Sequence, residues 1–137
     1  MRNQKGITLI ALVITIIVLL ILAGVSIAML TGQNGILTRA NDSKISTVEG
    51  QVRDAVALAV SDYRVEVYTN SNPSITASNI IDEVQETMGD KYTVTVDGSN
   101  AQQFTVTTKS GETSDLGDKT ITVVIAATGA ITSLTTN

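Results

Sequence analysis

The chain has 137 residues, 9 basic against 13 acidic side chains, a formal net charge of −4, and no Cys, His or Trp. Zinc-finger patterns, thiol nucleophiles and histidine-based triads are therefore excluded, as is any disulfide staple. Arg53, Arg64, Lys91, Lys109 and Lys119 are dispersed among acids, so no duplex-gripping basic face and no direct nucleic-acid partner are expected.

The chain opens on MRNQKG, which carries Arg2 and Lys5. Ile7 to Leu30 then runs ITLIALVITIIVLLILAGVSIAML without a formal charge. As a helix rising about 1.5 Å per residue, that stretch reaches about 36 Å, enough to span a bilayer with some tilt. Its hydroxyls (Thr8, Thr15, Ser26) can bond back to preceding carbonyls and need no water. Positive charge on the short side places the leader in the cytoplasm and everything after about residue 31 outside, by the bias that orients such helices. The run is too long for an ordinary secretory signal and lacks a small-x-small cleavage site behind it. Hydropathy alone asks for no more than an uncleaved signal-anchor, and leaves cleavage open.

The segment Lys5-Gly6-Ile7-Thr8-Leu9-Ile10, followed by a long Ile/Leu/Val helix, resembles the prepilin leader and amino-terminal helix of type IV pilins and pseudopilins. The resemblance is close over about the first 35 residues. It implies a leader of residues 1–6, cut after Gly6 by a prepilin peptidase, and a mature, N-methylated Ile7. Residues 7–35 become a transmembrane and filament-core helix, with Ile7, Leu9, Ile10, Ala11, Ile14, Ile17, Leu20 and Leu22 as assembly residues. It further implies partnership with copies of the chain or other pilin-like subunits, and no enzymatic activity. One position departs from the family pattern: Ala11 stands at the fifth mature position, where the family has Glu. A carboxylate among aliphatic helices is costly unless paired, and in the family it meets a neighbour's amino terminus. Ala11 is compatible with a minor or tip subunit, a divergent major subunit, or a relative that does not assemble.

Thr31-Gly32-Gln33-Asn34-Gly35 interrupts the apolar run. Two glycines weaken a helix here, so Gly32 and Gly35 form either a juxtamembrane hinge or a loosened stretch of one long helix. From residue 36 to about 65 the pattern is amphipathic. Leu37, Ala40, Ile45, Val48, Val52, Val56, Ala59 and Tyr63 recur at helical spacing, with Arg39, Asp42, Lys44, Glu49, Arg53, Asp54 and Asp62 largely between them. Thr69 to Ala77 reads as a loop holding Pro73, the one proline. A short helix follows, with Asn79 as its cap, Asp82 in the first turn, Ile80, Ile81, Val84 and Met88 on its buried face, and Gly89 as terminator.

The period then changes to two. Tyr92, Val94 and Val96, a turn at Asp97-Gly98, Phe104 and Val106, then Ile121, Val123 and Ile125, and finally Ile131 to Leu134 predict four antiparallel strands. Residues 36–137 thus make an amphipathic helix and an extracellular body. The fold class expected is α+β and pilin-like, a long amino-terminal helix packed on a small antiparallel four-stranded sheet.

The loop Ser110 to Asp118 gathers Glu112, Asp115 and Asp118. Oxygen ligands on a flexible loop can hold calcium, and a solvated strand connection explains the composition equally; the spacing is not that of an EF-hand. No other metal or cofactor is expected. Ser and Thr lack a nucleophile context such as Gly-x-Ser-x-Gly, and no catalytic site is assigned. Loss of the leader removes two cations and leaves seven, so the mature side chains sum to −6. The expected function is a structural subunit of a type IV-like pilus or pseudopilus, a single-pass membrane protein before assembly and a cell-surface filament after it. The alternatives are a minor pseudopilin of type II secretion or DNA uptake, and an uncleaved single-pass anchor with an extracellular body.

Overall fold

The charge-free amino-terminal stretch is helical in the computed structural model, which describes the backbone of residues 2–67 and 74–137 and side chains from Gln4 onward. Helix α1 runs Arg2–Thr31, so the basic leader joins the apolar helix without a break. Helix α2 runs Ile36–Val67 and α3 runs Ala77–Met88. Strands β1 (Tyr92–Val96), β2 (Gln103–Thr108), β3 (Ile121–Ile125) and β4 (Ile131–Thr136) follow. Of the expected loop Thr69–Ala77, residues 69–73 lie outside the described residues, residues 74–76 are irregular, and Ala77 is the first residue of α3. Two compact units result, residues 1–42 and residues 43–137.

The second unit is a pilin-like α+β body. Its strands form one antiparallel meander in the order β1-β2-β3-β4. Because side chains alternate across a strand, register puts Val94, Val106 and Ile121 in one row, and Val96, Phe104, Val123 and Leu134 in the next, on the same face. The opposite face carries a row of four threonines, Thr95, Thr105, Thr122 and Thr135, a residue suited to exposed strand positions. The apolar face closes over Val48, Val52, Ala55, Val56, Ala59 and Val60 of α2 and Ala77, Ile80, Val84 and Met88 of α3. Phe104, Val106, Ile121 and Val123 are at most 1% exposed, so burial of this face is the main source of the body's stability.

Four details differ from the sequence expectation. The packed stripe of α2 begins at Ile45: Leu37 and Ala40 are exposed, while Ala55 and Val60 join the core. Asn79 is not the cap of α3. Thr76 occupies that position, and Asn79 one turn in reaches back, its Oδ1 accepting the Thr76 N–H at 2.9 Å and the Thr76 hydroxyl at 2.8 Å. The β1–β2 connection is not a tight Asp97-Gly98 turn but spans 97–102. It is shaped by Asp97 Oδ1 accepting the Ser99 N–H (2.7 Å) and Asn100 Oδ1 accepting the Gln102 N–H (3.0 Å). Finally, Ile75 and Leu116, from segments read as loop, are each 2% exposed in the core.

Candidate functional site: the apolar helix and its head

In α1 every large apolar side chain from Ile7 to Leu30 is exposed, from 44% at Leu30 to 68% at Met29. A soluble helix shows one apolar stripe and one polar face; this one is apolar all round, the composition of a helix whose surroundings are lipid or other apolar helices. Its 30 residues reach about 45 Å, longer than the hydrocarbon core of a bilayer. It is the one helix among the described residues long and apolar enough to cross a membrane.

The polar atoms within this helix are satisfied internally. Thr8 donates to the Gln4 carbonyl at 2.8 Å, Thr15 to that of Ala11 at 2.7 Å, Ser26 to that of Leu22 at 2.7 Å and Thr31 to that of Ile27 at 2.9 Å. Each hydroxyl is therefore free of any need for water at membrane depth. Gly24 has nothing within 4 Å of where a side chain would begin.

Gly6 and Ile7 lie in the second turn of α1, Ile7 67% exposed. The other residues the sequence singles out for assembly spread around the helix: Leu9, Ile10, Ile14, Ile17, Leu20 and Leu22 are all between 49% and 67% exposed, and Ala11 is exposed with them. They form no single cluster but the surface of a rod. Such a surface can do one kind of chemistry, the burial of apolar area against lipid or like helices.

The helix stops at Thr31. Gly32 N–H bonds the Ala28 carbonyl (2.9 Å), Gly35 N–H bonds Gly32 (2.7 Å), and Arg39 N–H bonds Gly35 (3.1 Å) as α2 starts. The Thr38 hydroxyl donates to the Gly32 carbonyl at 3.1 Å, satisfying an acceptor the break leaves over. Side chains are sterically barred here. A Cβ on Gly32 would sit 2.8 Å from the Ala28 oxygen, and one on Gly35 would sit 2.7 Å from Leu30 O and 2.8 Å from Gly32 O. The two glycines permit close backbone approach at the interruption.

The acidic loop is built differently from a cation cage. Glu112, Asp115 and Asp118 are all exposed, and Asp115 lies 3.8 Å from Lys44 of α2. Among the described residues no group of three or more acidic, His or Cys side chains could hold a metal ion. What organises the loop is Leu116, buried among apolar neighbours, with Ser114 Oγ accepting the Leu116 N–H (3.1 Å) and pairing with Thr108 Oγ1 (2.7 Å). The signal for this anchor was present in the sequence: Leu116 is the one large apolar residue between Lys109 and Thr120.

Several residues that hold the body together carry no motif. Gln85 of α3 accepts the Val94 N–H at 2.8 Å and donates to the Tyr92 carbonyl at 2.9 Å, acting as one residue of an extra strand beside β1. Glu49 Oε1 accepts the Thr136 hydroxyl at 2.5 Å, tying α2 to β4, and Arg64 donates to the Thr128 carbonyl in the β3–β4 turn.

Residues 1–27 match the family described as the Prokaryotic N-terminal methylation motif. That motif implies processing by a prepilin peptidase and association with a membrane. No curated protein and no solved structure matches the chain.

Proposed function

We propose that the chain, carrying a methylation motif at the head of a helix apolar on every side, is a structural subunit of a type IV-like pilus or pseudopilus. The peptidase cuts after Gly6, Ile7 becomes the methylated first residue, and the helix stays in the membrane until it packs against its copies in a filament. The observation that supports this most is the full exposure of α1 from Ile7 to Leu30, since an apolar surface of that extent is stable only when lipid or other helices cover it. In this reading residues 1–6 are leader, residues 7–35 core helix with a pliant end at Gly32 and Gly35, and residues 36–137 the amphipathic helix and the body facing the medium. The basic leader supports that orientation.

Two experiments test it. Filaments sheared from cells are sequenced from the amino terminus; the expected species begins at N-methylated Ile7, and recovery of only full-length chain in membranes refutes the proposal. Gly6→Leu is then compared with wild type by intact mass: a peptidase substrate accumulates uncut, whereas a plain signal-anchor shows no change.

A second reading, a minor pseudopilin, is favoured by Ala11 alone. A subunit with no neighbour on one side has no use for a pairing carboxylate. A deletion strain that loses exoprotein release or transformation but keeps long surface fibres supports it.

A further inference from the structure

The two edges of the sheet are finished in opposite ways. At β1 the outward-facing backbone is occupied over its first half: Gln85 bonds the Val94 N–H and the Tyr92 carbonyl, and the Tyr92 N–H reaches the Gly89 carbonyl at 3.4 Å. At β4 nothing of the kind is present among the described residues. Thr120 and Asn137 exchange both backbone hydrogen bonds, at 2.9 and 3.0 Å, and the register then makes Thr122–Thr135 and Val124–Ser133 the inward-bonded pairs. Leu134 and Thr136 consequently turn their N–H and carbonyl groups away from β3, to the side where the sheet ends. Open edges of this kind template pairing with another strand, and proteins that avoid it place Lys, Pro or a bulge there. The irregularity at Val124/Ile125 disturbs only the start of β4.

We propose that β4 pairs antiparallel with β4 of a second copy of this chain. Two features select that occupant. Thr120 to Asn137 carries no charged side chain in a molecule of net charge −4, so two acidic copies meet along β4 without like-charged strand side chains opposing each other; the nearby acid, Glu49, accepts the Thr136 hydroxyl. The strand is also self-complementary. Centred on Leu134, the pairing overlaps residues 131–137 of both copies and lets the two Leu134 residues exchange their outward hydrogen bonds. It also sets the two half-buried Leu134 side chains against each other on the apolar face. Ser133 of one copy then stands opposite Thr135 of the other, in a non-hydrogen-bonded pair where side chains come closest. The inference does not depend on how α1 is used.

The chain has no cysteine, so disulfide trapping is unambiguous. Full-length Ser133→Cys and Thr135→Cys chains, purified in detergent, are mixed and oxidised; both positions are exposed strand residues. The expected result is a covalent dimer in excess over either variant alone, lost when Leu134→Lys is added to both. Thr93→Cys mixed with Thr95→Cys, on the edge closed by Gln85, is expected to give no such excess. Circular dichroism confirms that each variant is folded. Equal trapping at both edges, no excess at 133/135 in folded protein, or a dimer indifferent to Leu134→Lys each overturns the proposal.

Discussion

Ala11 is the residue on which assembly and simple anchoring make opposite demands. A carboxylate there costs roughly 2.5–3.5 kcal/mol of insertion free energy near a helix centre and less near the end, unless a cation pairs with it. If the chain assembles as proposed, the methylated amine of Ile7 supplies that cation. Ala11→Glu is therefore expected to leave insertion intact and to hold or raise filament yield, measured as sheared fibre against membrane-bound protein; reduced insertion with no fibre from either chain points to an anchor. Gly129 makes a second demand, a steric one. Its φ of 84° is a left-handed conformation, and an added Cβ would lie 2.6 Å from Val60 Cγ1. Gly129→Ala is expected to destabilise the body by about 1–3 kcal/mol through strain and overpacking, read as a lower denaturation midpoint with an unchanged m-value.

Among the elements, the interruption between α1 and α2 is the one whose conformation a single methyl group can bias. Alanine is better than glycine in a helix by about 1 kcal/mol, and a Cβ at residue 35 collides with the Leu30 and Gly32 carbonyls only while the break persists. Gly35→Ala is expected to favour continuous helix through residues 31–36, measured as slower amide exchange at residues 32–36 in detergent micelles; unchanged exchange rejects this account of the glycines. The presence of α1, α2, α3 and the four strands was legible because each is a local periodicity: an uncharged run, a 3.6-residue stripe, a two-residue alternation. Where α2 begins to pack was not legible. Leu37 and Ala40 continue the stripe as well as Ile45 does, and only the position of the sheet leaves the first two in the open and the third covered.

For the whole molecule, the chain divides into two compact units, residues 1–42 and 43–137. The first unit has apolar side chains facing outward, whereas the second has a closed core centred on Phe104, the single phenylalanine. A fragment of residues 43–137 is accordingly expected to be water-soluble and to unfold in one cooperative transition, followed by circular dichroism, because every buried residue of the core lies within it. Absence of a cooperative transition in that fragment rejects the autonomy of the body.

The order of elements, the membrane-length helix and the absence of thiol or imidazole chemistry were determined by the sequence itself, since each depends on residue type and near-neighbour spacing. The tertiary structure decided what depends on residues distant in the chain. It drew Ile75 and Leu116 into the core and set Asp115 3.8 Å from Lys44. It also bonded Gln85 to part of the β1 edge, with no such contact on β4 among the described residues. Periodicity specifies which face of an element is apolar, but which polar group meets which is settled only when the faces close, because a hydrogen bond extends about 3 Å and no local pattern carries that distance.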